Sequence, residues 1–410
     1  MNKLFVKNIG MLATPQGNGP KCGEEQGKIQ ILKDAWVLVE DGLIAKVGTG
    51  AYDADMEQDA QVVDAQGKLV TPGLVDAHTH LIFGGWRQNE LGMKLHGATY
   101  LEILAAGGGI LSTTTATRKA TEDELYAKAA KAMDEMLAMG TTTCEAKSGY
   151  GLTLEDELKE LRAIKRLNED HTVDLAATFM GAHAVPVEYK DDREEYIRLL
   201  CEEWLPAVRG QGIAQFCDVF CETGVFSAEE SRVILEAAKK NGFICKIHAD
   251  EIDPIGGSVL AGEIGAISAE HLIVCPPEGI ASMAKGGTVA CLLPATSFYL
   301  GSVFAPARDM VTAGVPVAMA TDFNPGSCPS LNLQFVMNLG CLKYKLTPEE
   351  VLTAVTLNAA SAIQRADTIG SIEPGKLGDM VIWDAPDLDY ICYRMGSNLA
   401  ETVIKKGQPV

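Results

Sequence analysis

The chain lacks any apolar run near the ~20 residues that a membrane-spanning helix needs. Its first ten residues, from Met1 to Gly10, carry no long apolar stretch and no cleavage site, so no secretory signal is expected there. Basic residues are scarce: 35 Lys and Arg stand against 55 Asp and Glu, a formal charge of −20. Nucleic acid and anionic membrane surfaces need a basic face, so neither is expected as a partner, and the acidity reads as a solubilising surface. The 11 cysteines, an odd number, include no Cys-x-x-Cys. Several, Cys245 and Cys291 among them, lie in apolar strand-like runs and read as buried free thiols in a reducing cytoplasm. Cys217 and Cys221 are close in sequence, but no second Cys or His pair is spaced to complete a metal site with them. The chain also lacks a Gly-x-Gly-x-x-Gly turn after its first long apolar run, which disfavours a doubly wound dinucleotide fold. Gly107-Gly108-Gly109 has no Gly-Lys-Ser/Thr ending and follows no strand, so it reads as a flexible loop near the mouth of the fold and not as a phosphate loop.

What is present is a repeating pattern. The 410 residues suffice for one large core and a smaller domain. The N-terminal ~65 residues read as short strands and turns, with Asp41-Gly42 between two apolar runs as a hairpin signal. The C-terminal segment has the same texture in Gly378–Asp384 and Glu401–Gly407. Residues 1–65 and 366–410 are therefore expected to build one composite β-sandwich domain. Between them, residues 66–365 alternate strand and helix. Capping boxes at Thr121/Glu124 and Ser227/Glu230 open helical stretches that stop at Gly140 and Gly242, and Thr347-Pro348 opens another. Eight short apolar strands are expected: Val70–Val75 leading into Asp76, then Thr141–Ala146, Leu175–Phe179, Phe216–Phe220, Ile244–Ile247, Ala266–Ala269, Thr288–Leu293 and Val315–Ala320. Eight strand–helix units fit a (β/α)₈ barrel, an α/β fold of the TIM type.

Catalytic groups of such barrels lie at the C-terminal ends of the strands, and the polar residues here fall there. The first strand runs into Asp76-Ala77-His78-Thr79-His80. Side chains two apart on a strand share a face, so His78 and His80 project together with the reach to chelate one ion. The second strand runs into Glu145, Lys147, Ser148 and Tyr150; the third ends in His183; the fifth in His248, Asp250 and Glu251; the sixth in His271; the eighth in Asp322. His96 and His171, outside this set, read as surface or loop residues. Three imidazoles and a carboxylate, His78, His80, His248 and Asp322, suit Zn²⁺ or a non-haem iron with water in the open position. Lys147 reads as a structural or substrate-contacting residue and not as a carbamylated ligand of a second metal. No bridging acid is expected on the fourth strand, so one ion per chain is expected.

These segments carry a family resemblance nearly end to end. Asp76–Gly85 with Arg87, Gly107–Ile110, Glu145–Gly151, Gly181–His183, Lys246–Glu251 and Ala320–Ser327 resemble the amidohydrolase superfamily and, within it, the imidazolonepropionase family. The His-x-His and the last-strand Asp mark the superfamily; Lys-Ser-Gly-Tyr-Gly and Thr-Asp-Phe-Asn-Pro-Gly-Ser mark the narrower family. Trp86, where a small residue is expected, departs from the pattern. The resemblance implies a metal-dependent (β/α)₈ barrel with a composite β-sandwich, in a homodimer. It implies hydrolytic opening of 4-imidazolone-5-propanoate to N-formimidoyl-L-glutamate in histidine degradation, with one Zn²⁺ or Fe³⁺ per chain. By the same analogy His78, His80, His248 and Asp322 hold the metal, Arg87, Tyr150, His183, Glu251 and Ser327 contact substrate, and Asn324 and Gly326 contact product.

The residue chemistry is compatible with those roles. Arg87 offers a planar fork for the propanoate carboxylate, and His183 and Tyr150 offer flat, polar-edged surfaces for the ring. Asp322 can ligate through one oxygen and accept a proton from water through the other. Glu251 can move a proton to the leaving nitrogen, and His271 can stabilise a developing oxyanion. The sequence leaves open which of Asp322, Glu251 and His271 is the general base. A deaminase of cyclic purines or pyrimidines would share the metal set but has no need of a carboxylate anchor, so Arg87 separates the two. A barrel kept as a scaffold would be expected to lose a ligand, and all four are intact.

Overall fold

The computed structural model describes residues 3–97, 102 and 107–410. Eight parallel strands are laid side by side in chain order: β1 (Leu74–Asp76), β2 (Thr141–Lys147), β3 (Asp174–Ala182), β4 (Phe216–Cys221), β5 (Ile244–Ala249), β6 (Ser268–His271), β7 (Val289–Leu292) and β8 (Val317–Met319). The ring closes just past the strand ends, where Thr79 pairs in parallel with Phe323. Asp322 N–H donates to His78 O at 3.0 Å and His80 N–H to Phe323 O at 2.9 Å. Closure therefore fixes the His-x-His segment directly against the segment that carries Asp322. The expected barrel is present, with a strand at each of the eight expected places, the first of them shortened.

The helices between them start where their caps lie. The boxes at Thr121/Glu124 and Ser227/Glu230 are formed and open Glu122–Ala138 and Ala228–Lys240; that at Thr347/Glu350 opens Pro348–Ala354 with proline in its first turn. Each satisfies backbone donors that a helix start leaves free. Gly109 stands before the helix Ile110–Lys119, and its N–H donates to Glu90 at 2.6 Å. The glycine run is thus the entry to a helix.

A second, mostly antiparallel sheet gathers strands from both chain ends, in the order Gln408–Pro409, Ala400–Lys405, Met380–Trp383, Leu69–Pro72, Lys3–Thr14, Gln30–Glu40, Leu43–Thr49. The hairpin at Asp41-Gly42 is present, with φ of 49° and 84°, the left-handed pair that a two-residue turn of this kind demands. One expectation needs correction. Val70–Val75 is not a single strand: Leu69–Pro72 pairs with Lys3–Thr14 and Met380–Trp383, and only Leu74–Asp76 enters the barrel. The break falls at Gly73, where any Cβ would lie 2.3 Å from the Thr142 hydroxyl. Trp383 is buried against the barrel and donates from its indole to Thr71 at 2.8 Å, and Lys405 bridges Asp379 (2.6 Å) and Asp174 at the start of β3 (2.9 Å). The second sheet thereby braces the strand that delivers His78.

Candidate metal and hydrolytic site

Barrel interiors are ordinarily filled with branched aliphatic residues. Here the layer below the mouth is charged. Glu145 and Lys147 on β2, Asp218 on β4, Lys246 on β5 and Glu270 on β6 are all fully buried. Lys147 Nζ pairs with Glu145 at 2.7 Å and Asp218 at 2.8 Å; Lys246 Nζ lies 3.4 Å from Glu270 and 3.6 Å from Glu145. Buried charge is tolerable only in such mutual pairing. Burial pulls the Lys147 ammonium toward neutrality, but Asp218, Glu145 and Glu270 outweigh it and hold the group charged, well above the ordinary lysine range. Burial likewise opposes the Asp218 carboxylate, and His248 and Lys147 overcome it, so that group stays ionised. Held as an ammonium between two carboxylates, Lys147 offers no lone pair for carbamylation. Strand β4 does carry an acid, contrary to the sequence expectation, but Asp218 is occupied by Lys147 and His248.

Above this layer the histidines converge. His78 Nδ1–H donates to Glu270 at 3.0 Å and His248 Nδ1–H to Asp218 at 3.1 Å. Those bonds fix each tautomer, so each Nε2 carries a lone pair facing the barrel mouth. His78 Nε2 has no hydrogen-bond partner although it is buried, and His248 Nε2 lies 3.3 Å from His80 Nε2. Asp322 Oδ1 is 3.5 Å from His78 Nε2 and 3.7 Å from His80 Nε2. Two ligand-capable groups emerge, His78/His80/Asp322 and His78/His248/His271, each with its ligand atoms within 4.8 Å of one another. His78 and His80 are pushed well below the ordinary histidine range, first by burial and then by neighbouring positive groups. Buried imidazoles and a carboxylate with their ligand atoms this close together fit a cation. Asp322 and His271 both sit in the left-handed backbone region (φ 57° and 68°), strain that non-glycine residues adopt at functional sites.

The remaining expected residues ring this point. His183 stacks on His80 with ring centres 4.8 Å apart, and Tyr150 lies 5.1 Å from His183. His183 Nδ1–H donates to Gly149 O at 2.9 Å, and burial lowers its pKa to about 3, so it is a neutral ring. His271 is lowered by burial to about 4, and its Nε2 lies 3.6 Å from Glu251 Oε2. Burial raises Glu251 to about 7. Arg87 has Glu90 no nearer than 3.9 Å, and its Nε has no hydrogen-bond partner. Asn324 is consumed by its own loop: its amide donates to Asp322 O and Ser327 Oγ, and its oxygen accepts from the backbone of Gly326 and Ser327. Cys217 and Cys221, set aside as ligands, are buried free thiols. His96 is exposed, and His171 lies at a helix end beside Asp134 at 3.1 Å.

Asp322, one of the three candidates for the general base, uses both of its oxygens. The oxygen left over from the histidines, Oδ2, accepts the Thr296 hydroxyl at 2.6 Å. Sequence reading missed Thr296, Asp218 and Glu270. The signal for the two acids was a carboxylate inside an apolar strand (Phe-Cys-Asp-Val-Phe, Ser-Ala-Glu-His), in phase with the inward face.

Comparison with known proteins places this arrangement. The sequence model of the amidohydrolase family matches residues 69–410. The imidazolonepropionase of Alkaliphilus metalliredigens is 50% identical, over 100% of this chain and 98% of that protein. That of Alkaliphilus oremlandii is 52% identical over 99% and 97%. Among solved structures, a zinc-containing variant of the atrazine chlorohydrolase of Arthrobacter aurescens superposes with a TM-score of 0.73 at 18% identity, covering 99% of this chain and 94% of its own. A zinc-bound adenosine deaminase of Xanthomonas campestris gives 0.70 at 20% identity, covering 100% and 92%. Both share the fold.

Proposed function

The chain belongs to the amidohydrolase family and, within it, to the imidazolonepropionases, and on that footing we propose that its site adds water to the ring of 4-imidazolone-5-propanoate to give N-formimidoyl-L-glutamate, a step of histidine degradation. The observation that carries the reading is the approach of His78 Nε2 and His80 Nε2 to Asp322 Oδ1, at 3.5 and 3.7 Å, with His248 Nε2 3.3 Å from His80 Nε2. His78, His80, His248 and Asp322 would hold one Zn²⁺ or iron. Such an ion, when bound, lowers the pKa of a water from ~15.7 toward ~7 and polarises a carbonyl.

The protein's own groups do the rest. Arg87 receives the propanoate carboxylate in a bidentate pair. Tyr150 and the His80–His183 stack form the wall against which the flat ring lies. Glu251 takes a proton from the attacking water and delivers it to the leaving ring nitrogen, an exchange suited to a carboxyl with a pKa near the operating pH. Glu251 is favoured over Asp322 for that task because the Asp322 oxygen turned from the histidines already accepts the Thr296 hydroxyl at 2.6 Å. His271, kept neutral by burial, offers an N–H to the oxygen on which charge develops. Ser327, Asn324 and Gly326 shape the loop that faces Arg87. The free thiols at all 11 cysteines support a reducing, cytoplasmic setting.

The test is product identification. Purified, metal-loaded protein is incubated with 4-imidazolone-5-propanoate, and the product is identified by mass spectrometry. Stoichiometric N-formimidoyl-glutamate is expected. Unchanged substrate, beside hydrolysis of a purine or a triazine, would overturn the reading.

A further inference from the structure

Glu222 stands one residue beyond β4 and is almost wholly buried, at 1% exposure. Its carboxylate accepts four backbone N–H groups. Oε1 receives Thr223 at 2.8 Å and Asp253 at 3.1 Å; Oε2 receives Glu251 at 3.1 Å and Ile252 at 2.8 Å. Glu222 is itself fixed: its N–H donates to Phe226 O at 3.0 Å, and its C=O accepts from Val225 at 2.9 Å. The turn that it holds leaves β5 through Asp250, in the left-handed region at φ 51°, and exposes Ile252 at 65%. The side chain at its tip, Ile252, adds little packing to define the turn.

We propose that Glu222 is a positioning residue for proton transfer: by binding the three successive amides of residues 251–253 it fixes where the Glu251 carboxyl stands relative to His271 and the substrate ring. The inference rests on Glu251 as the proton carrier. A group that moves protons must lie within hydrogen-bond reach of both the atom it deprotonates and the atom it protonates, and a misplacement of about 1 Å costs on the order of 10²-fold. A carboxylate suits the task because it only accepts. A glutamine there would turn an N–H₂ group toward two of the four donors and release part of the turn.

Two measurements test this. In the parent protein, hydrogen–deuterium exchange of the amides of residues 251–253 should be slow although Ile252 is exposed; exchange at the rate of an open loop would overturn the proposal. Glu222→Gln should release those amides and lower kcat about 10- to 100-fold, with KM and metal content near the parent values. The double variant Glu222→Gln/Glu251→Gln should be no slower than Glu251→Gln alone. Parent-like kcat in Glu222→Gln with the amides released, or additive losses in the double variant, would overturn the proposal. If the glutamine variant does not fold, Glu222→Asp, whose shorter arm withdraws the carboxylate from the amides, is read by the same outcomes. A parent-like kcat in Glu251→Gln would instead refute the proton-carrier assignment and take this inference with it.

Discussion

The guanidinium of Arg87 fills the space that a side chain at position 326 would need. A Cβ on Gly326 would lie 1.1 Å from Arg87 Nη2 and 1.9 Å from its Cζ. The Arg87 guanidinium thus lies against Gly326, and the Arg87 backbone N–H donates to Pro325 O at 3.3 Å. The glycine is needed for the bulk it lacks, and the loop after β8 sets the direction of an arginine that follows β1.

The first prediction follows from that contact. Arg87→Ala should lower kcat/KM by about one to three orders of magnitude, chiefly through KM, because a charge-assisted bidentate pair is lost. Arg87→Lys should recover little, since a point charge does not replace the planar fork. Gly326→Ala should reproduce most of the loss by displacing the guanidinium, and Arg87→Ala/Gly326→Ala should add little to either. Steady-state kinetics on the four variants decide it; a parent-like Gly326→Ala would show that Arg87 does not depend on that surface.

The second prediction separates holding the metal from moving the proton. Glu251→Gln should keep the metal and bind product, yet lose about 10²–10⁴-fold in kcat. Asp322→Asn should lose metal as well as turnover. Metal content and kcat measured on the same preparations check this, and loss of metal in Glu251→Gln would move that residue among the ligands.

The third concerns the carboxylates beneath the histidines. Asp218→Asn and Glu270→Gln replace the charged, acceptor-only partners of His248 and His78 with neutral amides that can also donate, so the tautomer is no longer fixed. Metal affinity should fall about 10–100-fold in each, with the barrel still folded, as circular dichroism and competition with a chelator would show. Unchanged affinity would mean that the tautomers are fixed otherwise.

The fourth is a pH profile. Burial raises Glu251 to about 7. Its carboxylate form accepts the water proton, so kcat/KM should be low below that pH and rise as the pH passes through about 7. The residual activity of Glu251→Gln should lack this limb. A parent profile flat from pH 5 to 8 would contradict the assignment.

Much of this was legible in the sequence, because one-dimensional rules sufficed for it. Period-two spacing put His78 and His80 on one face, and capping boxes placed the helices Glu122–Ala138, Ala228–Lys240 and Pro348–Ala354. The polar residues that end apolar strands marked His248, His271 and Asp322. What stayed hidden depends on partners distant in sequence. In the sequence Asp218 is a single acid within an apolar run and Glu222 follows one; only the fold brings Lys147 beside the first and the turn after β5 onto the second. The break at Gly73 was hidden for the same reason: only the approach of Thr142 distinguishes two strands from one.

The central claim is that one ion, held by His78, His80, His248 and Asp322, makes this barrel a hydrolase of a cyclic amide. Titrating the metal-free protein with Zn²⁺ or Fe²⁺ while following hydrolysis of 4-imidazolone-5-propanoate tests it most directly. Activity should climb linearly and level off at one equivalent per chain, and His248→Ala should stay silent throughout. Full activity in the metal-free protein, or a plateau only at two equivalents, would contradict it.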